Sequence, residues 1–359
     1  MNALTSLLGT RLPLIQAPMA GVQGSALAIA VTQAGALGSL PAAMLSADAL
    51  RDELQRITTQ TSGAYNVNFF CHATPVAPSA EQDSAWRQAL QPFYDELGLD
   101  IDHITPGPAR TPFSAELADV LAEFRPPVVS FHFGLPAPDL LNRVRSWGAK
   151  VISSATTVSE AIWLEQQGVD AIIAQGLEAG GHRGMFLTQD LSTQMGTFAL
   201  LPHIVQAVRV PIIAAGGIAN AAGVRVAMAL GAAGVQVGTA YLRCPECSTS
   251  DLHRAALVSE AAQHTALTNV FTGRPARGIV NRLMRKLGGS AIRHGALMCP
   301  SAPAFPLATA AITPLRAAAE KQGNSDFSPL WAGQNASGCQ DWPAAQVTAS
   351  LAAGFNSGD

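Results

Sequence analysis

Short apolar runs rich in Val, Ile and Phe recur from Leu12 to Leu242, and none alternates cleanly between apolar and polar positions. They read LPLIQAP from Leu12, GALGSL from Gly35, YNVNFF from Tyr65 and PVVSFHFG from Pro127. KVISSAT from Lys150, AIIAQG from Ala171, PIIAAGG from Pro211 and GVQVGTAYL from Gly234 follow. A run that is apolar at successive positions has no face to turn to water, so each predicts a strand buried on both sides, as in a parallel sheet. Between the runs the period changes to that of a helix. Segment 46–56 opens on a capping Ser and an acidic turn, and 137–147 and 158–167 carry apolar residues at i, i+3 and i+4. Gly148 and Gly168 stand where those helices should stop. Segments 194–208 and 222–230 complete the set. Strand alternating with helix predicts an α/β fold of parallel units, and eight strands favour a closed (β/α)8 TIM barrel over an open doubly wound sheet.

A barrel takes about 250 residues, whereas the chain has 359. The barrel is assigned to 1–250, with a Pro-rich, polar insertion at about 73–126. Segment 251–325, helical in pattern, predicts an added, mainly helical C-terminal subdomain over the substrate, and 326–359 returns to the barrel with a tail expected to fray. Arg274, Arg277, Arg282, Arg285, Lys286 and Arg293 make 251–325 the most basic stretch. It reads either as a solvated helical face or as an anion-attracting lid.

Composition narrows the function. Apolar residues are 48% and charged residues only 13%, which excludes a disordered chain. A net charge of −3 offers no basic surface, so no nucleic-acid partner is expected. Five scattered cysteines do not form a disulfide framework and suit a reducing compartment. Mean hydropathy is positive, at +0.21, yet no run reaches the roughly 18–20 apolar residues of a membrane span. The first ten residues carry no Lys or Arg for a signal peptide. A cytoplasmic protein with no membrane partner is the expectation.

In a parallel barrel, chemistry gathers at the carboxyl ends of the strands. Those positions hold Met19, Asn68, His132, Gln175 to His182, Gly216, Gly217, and Gln236, Val237, Gly238 and Thr239. One glycine pair reads equally as a plain turn. Glycine loops after both of the last two strands suit a phosphate held by main-chain N–H groups. In EAGGHRG, Gly180 and Gly181 would let the backbone lie against a flat ligand, with His182 projecting into the mouth as a group that titrates near neutrality. His132 closes the fourth strand, where it either packs or acts directly. The chain has no Walker motif, no strand-linked GxGxxG and no GxSxG elbow. Cys244 and Cys247 form a lone CxxC, so no metal centre is expected. Cys71, beside His72, reads as strand packing.

QAPMAG from Gln16, NVNFF from Asn66, SFHFG from Ser130, AQGLEAGGHRG from Ala174, AAGGI from Ala214, GVQVGTAYL from Gly234 and WAGQNA from Trp331 occur in that order. Together they resemble the FMN-dependent nitronate monooxygenases, also called 2-nitropropane dioxygenases, in particular the bacterial class I group. The resemblance implies the barrel with its added helical domain, as a monomer or homodimer. FMN would lie across the mouth against Met19, Asn68, Gln175, Gly180, Gly217 and Gln236 to Thr239, with Gly181 and Gly216 in the same loops and Gln334 closing over it. His182 matches the family's active-site histidine and His132 a second histidine near the substrate. The implied reaction oxidises alkyl nitronates, such as propionate 3-nitronate, with dioxygen to a carbonyl compound and nitrite. Protonated His182 would attract the anionic substrate, or act as base toward a neutral nitroalkane. The chain departs from class I where two tyrosines and a lysine are expected at four-residue spacing, and reads Phe305, Thr309 and Thr313. On one helical face these would change the pocket together, predicting weaker propionate 3-nitronate affinity or a less anionic substrate. The competing functions are an FMN-dependent NAD(P)H:quinone or enoyl-thioester reductase, a non-catalytic flavin-binding protein, and a barrel for another phosphorylated ligand.

Overall fold

The computed structural model describes residues 2–104, 110–289 and 296–355. Its first six strands are β1 (Leu14–Gln16), β2 (Gly38–Pro41), β3 (Tyr65–Phe70), β4 (Val128–His132), β5 (Lys150–Ala155) and β6 (Ala171–Gln175). They are followed by β7 (Gly181–His182), β8 (Ile212–Ala215) and β9 (Gly234–Val237). All but β7 form one parallel sheet, in the order β1-β9-β8-β6-β5-β4-β3-β2. Its two ends meet at a bridge between Ile15 and Leu37, where Gln16 N–H donates to Leu37 O (3.0 Å) and Leu37 N–H to Leu14 O (2.9 Å). This closes the cylinder. The eight barrel strands are those predicted.

Both faces of the barrel wall are apolar, which explains the lack of alternation. Val128, Ile152, Ile173 and Ile213 form an inner cluster with Leu4 and Leu8 of α1 (Ala3–Leu8). Their neighbours Val129, Val151 and Ile172 turn outward to the helices. The helices are α2 (Ser25–Gln33), α3 (Ala47–Gln60), α4 (Ala80–Glu96), α5 (Ala115–Phe124), α6 (Pro138–Ser146), α7 (Val158–Gln166), α8 (Thr197–Ala207) and α9 (Ala221–Ala229). Ser46 Oγ accepts from Ala49 N–H at the start of α3, and Gly148 and Gly168 adopt φ of 84° and 74° where α6 and α7 stop. The periodicity missed α2 because its sequence, SALAIAVTQ, is apolar nearly all round.

The structure differs from the 73–126 reading in one respect. α5 lies between α3 and α6, so it is the barrel's own crossover helix and the insertion proper is α4 with the turn after it. α4 buries Trp86, Leu90, Phe93 and Tyr94 against Val270, Leu283, Met284, Ile312 and Phe327. The second core is therefore shared by two segments far apart in sequence. Segment 251–325 contributes α10 (Asp251–Val258), α11 (Arg282–Leu287) and α12 (Thr309–Lys321). It also carries strands that a helical pattern did not separate: β10 (Thr265–Thr268), β11 (Ala276–Ile279) and β12 (Ala296–Leu297). These form a small sheet in the order β12-β10-β11-β7. α13 (Ala344–Ala352) returns the chain to the barrel against α2 and α9. The basic stretch divides: Arg277 is buried in β11, Arg282 pairs with Glu96 (2.6 Å), Arg285 and Lys286 are exposed, and Arg293 lies outside the described residues. Among the described residues, no helix is long and apolar enough to cross a membrane.

The tightest joint between wall and helices tests this packing. A Cβ on Gly38 in β2 would stand 2.0 Å from the Ala28 carbonyl oxygen of α2. Gly38→Ala is expected to destabilise the chain by about 1–3 kcal/mol, read by urea unfolding. A variant with the wild-type midpoint would disprove the close approach.

Candidate active site

The carboxyl ends of the barrel strands surround a cleft of about 1410 Å³, counted out to its open mouth. Met19, Asn68, His132, Gln175, Gly180, Gly181, His182, Gly216, Gly217, Gln236, Val237, Gly238 and Thr239 all line it. Gln334 does not: its side chain is exposed, while its neighbours Gly333 and Asn335 form part of the wall.

One end of the cleft is made of main chain. Gly216 and Gly217 adopt φ of 117° and 72° after β8, a region open to glycine but strained for other residues. The N–H groups of Gly216, Gly217, Gly238 and Thr239 donate to no protein acceptor among the described residues. Segment 331–335 straps across these loops. Gly333 N–H donates to Thr239 Oγ1 (3.0 Å), Gln334 N–H to Glu178 O (2.9 Å) and Asn335 Nδ2 to Gly217 O (3.0 Å). Gly180 is small because of this strap, since a Cβ there would lie 2.5 Å from Gly333 N. Gly181 has open space around it and φ of 71°.

The other end carries the imidazoles. His182 sits among four rings, with centroids of Phe305, Trp331, Phe70 and Phe133 at 5.3, 5.8, 5.9 and 5.9 Å. Its Nε2 shares a hydrogen bond with Thr272 Oγ1 (3.0 Å). This apolar box disfavours a charged ring, and the nearby Arg110, His132 and Arg274 add to the effect, so His182 is held well below the ordinary imidazole value. Burial thus favours the neutral ring, the protonation state that the sequence leaves open. His132 is pushed down to about 3, chiefly by burial. Its Nε2 meets the His182 carbonyl (3.2 Å) and its Nδ1 meets Ser154 Oγ (2.9 Å). A carbonyl only accepts, so His132 carries its proton on Nε2 and receives one from Ser154. Gln175 supports the same loop, donating from Nε2 to His182 O (2.9 Å) and accepting at Oε1 from Gly184 N–H (2.7 Å).

Sequence reasoning passed over several groups that the fold brings in. Arg183, fully buried, donates to the carbonyls of Gly176 (2.7 Å) and Gln175 (2.8 Å); burial lowers its pKa to about 9. Arg274 stacks on Phe133 at 3.8 Å and donates to Met185 O. Arg110 lines the cleft from the end of the insertion. His253 of α10 is buried there with Nε2 unpartnered, its pKa lowered to about 4. For Arg274 the one signal was the basic count of 251–325, which did not distinguish inward from outward residues; Arg110 and Arg183 lie outside that stretch. Phe305, Thr309 and Thr313 do not share a helical face in the pocket. Phe305 precedes α12 and is buried in the ring cluster, Thr309 bonds Arg110 (2.8 Å), and Thr313 is exposed. No described Asp or Glu side chain lines the cleft. Burial pushes the Cys71, Cys244 and Cys247 thiols up, and no described His, Cys, Asp or Glu cluster is placed to hold a metal.

This architecture has close counterparts. The nitronate monooxygenase family model matches residues 1–354. A nitronate monooxygenase of Paraburkholderia phytofirmans is 40% identical over 98% of this chain and 94% of its own length. The crystal structure of nitroalkane oxidase from Streptomyces ansochromogenes superposes with a TM-score of 0.84 at 36% identity, over 98% of this chain and 97% of that one. FabK from Thermotoga maritima is more distant, with a TM-score of 0.70 and 25% identity over 99% and 96%.

The depressed imidazoles set a pH dependence. The unfolded chain takes up protons near pH 6.5, whereas folded His132 and His253 resist until about 3 and 4. Stability is therefore fully present above pH 6.5 and declines as the pH falls toward 4, by up to about 1.4 kcal/mol per unit for each imidazole. Thermal unfolding should show a lower Tm at pH 5 than at pH 7.5, with a shallower drop in His132→Asn. An equal slope in that variant would contradict a neutral His132.

Proposed function

The chain belongs to the nitronate monooxygenase family, a family of flavin-dependent oxidoreductases, and on that premise we propose that it uses FMN and dioxygen to oxidise alkyl nitronates of the propionate 3-nitronate type to a carbonyl compound and nitrite. The observation that carries this reading is the pairing, in one cleft, of four main-chain N–H groups unpaired among the described residues with an imidazole boxed by aromatic rings and no described carboxylate.

The residues present fit FMN. The N–H groups of Gly216, Gly217, Gly238 and Thr239 suit its phosphate without a basic side chain. Gln236 Oε1 is buried without a donor among the described residues, and an orphaned acceptor of this kind suits a ring N–H or a hydroxyl of the cofactor. Met19, Asn68, Gln175, Gly180, Gly181 and Val237 complete its contacts in this reading. When bound, FMN supplies the one-electron redox chemistry that no cleft side chain offers. The protein does the rest. A nitronate is already an anion, so it requires no strong base. It requires a positive field and exclusion of water, which Arg110, Arg274 and the ring cluster supply. Neutral His182, its Nε2 fixed by Thr272, is the catalytic residue beside the reacting carbon and the base toward a neutral nitroalkane. His132 is its positioning residue, acting through the His182 carbonyl.

The purified protein is expected to be yellow. Mixed without oxygen, a nitronate should bleach the flavin and NADH or NADPH should not; in air, oxygen uptake should match nitrite release. Bleaching by a nicotinamide alone would favour the reductase reading, and yellow protein without oxygen uptake the binding-protein reading. His182→Asn should retain flavin yet lose roughly 10²–10⁴-fold in kcat/KM on a neutral nitroalkane, and less on the preformed nitronate, because only the former must give up a proton.

A further inference from the structure

Arg110 is the only arginine in the described cleft wall. Its position is built rather than incidental. His72 Nε2 donates to the Arg110 carbonyl (3.0 Å), fixing the main chain. Its Nη1 donates to Thr309 Oγ1 (2.8 Å), and the guanidinium lies 5.9 Å from the Phe305 ring centroid. Thr309 Oγ1 gives its own proton to Phe271 O (3.2 Å), which leaves the hydroxyl a committed acceptor toward the arginine. A guanidinium carries five N–H donors, and only this one is engaged by protein among the described residues. Arg110 also has no ion pair there, unlike Arg51, Arg87, Arg143 and Arg282. A half-buried guanidinium with free donors facing a cleft without carboxylates is a seat for an anion, and its fork matches a carboxylate in two parallel bonds.

The same Phe305 ring lies 5.3 Å from His182, so the seat and the imidazole flank one side chain. We propose that Arg110 is the specificity-determining residue of this site: it takes the carboxylate of nitronates that carry a second anionic group and favours them over nitronates that carry none. The inference rests on the functional reading above and reverses the affinity loss expected from the residue at 313. Thr313 is exposed, so a cation there would stand away from the cleft. Thr309 instead holds a cation that arrives from another segment.

The test compares kcat/KM for propionate 3-nitronate and for propyl-1-nitronate on the flavin-loaded enzyme. The wild type should prefer the first, and Arg110→Met should reduce the ratio roughly 10–100-fold, the worth of a charged hydrogen-bonded pair. Arg110→Lys should recover part of it, and Thr309→Val should lower it to an intermediate value. A ratio unchanged in Arg110→Met overturns the proposal while leaving nitronate oxidation intact. Calorimetric titration with 3-nitropropionate against 1-nitropropane gives a second readout that needs no turnover. Carboxylate-dependent binding lost in Arg110→Met supports the seat even if neither nitronate is oxidised, the result that would instead defeat the functional reading. Carboxylate binding that persists in that variant overturns the seat.

Discussion

The site depends on a joint four residues long. Gly181 and His182 form a two-residue strand that pairs antiparallel with Arg277 and Ala276 of β11, so the imidazole hangs between the barrel and the added subdomain. The next residue faces the other way: Arg183 buries its guanidinium under the loop and holds the carbonyls of Gln175 and Gly176, where β6 ends. Gly184 N–H then donates to the Gln175 side chain. This short stretch is thus tied to both bodies at once. A buried guanidinium with its donors satisfied by carbonyls fixes a loop more firmly than a surface ion pair, because releasing it would strand a charge out of water.

Electrostatics follow from that arrangement. Arg110 and Arg274 flank the ring cluster with no ion pair among the described residues, while the nearby carboxylates accept hydrogen bonds elsewhere. Glu160 accepts from Thr156, Phe186 and Leu187 N–H groups, and Glu178 from Thr197. In the proposed reading the cleft combines a positive field with a neutral imidazole, a division of labour in which fixed arginines would attract an anion and His182 would handle a proton. Charge that cannot titrate near neutrality supplies the field, so the attraction does not vanish as the pH rises.

The added subdomain shows how topology combines what sequence separates. α4 and the segment after α10 each have an apolar face too large to leave exposed, and they bury it against one another. Arg110 enters the cleft because the insertion that begins with α4 must return to the barrel past that second core. Its partner Thr309 comes from α12, nearly two hundred residues onward. No local pattern links the two.

Strand and helix succession, the closed barrel and the strand-end residues that line the cleft were legible in the sequence, because each depends on local periodicity or on glycine at a turn. Doubly apolar runs from Leu12 to Val237 required burial on both faces, and that requirement placed Met19, Asn68, Gln175 and Gly217 at one mouth. Residues whose role depends on a partner from elsewhere were not legible. The charge on His182 was decided by four rings and two arginines from distant segments, the reach of Gln334 by a strap that turns its side chain outward, and the separation of Phe305 from Thr313 by where α12 begins. Periodicity records which face of an element meets water. Only tertiary contact decides which desolvated groups meet each other, and that encounter sets charge and specificity.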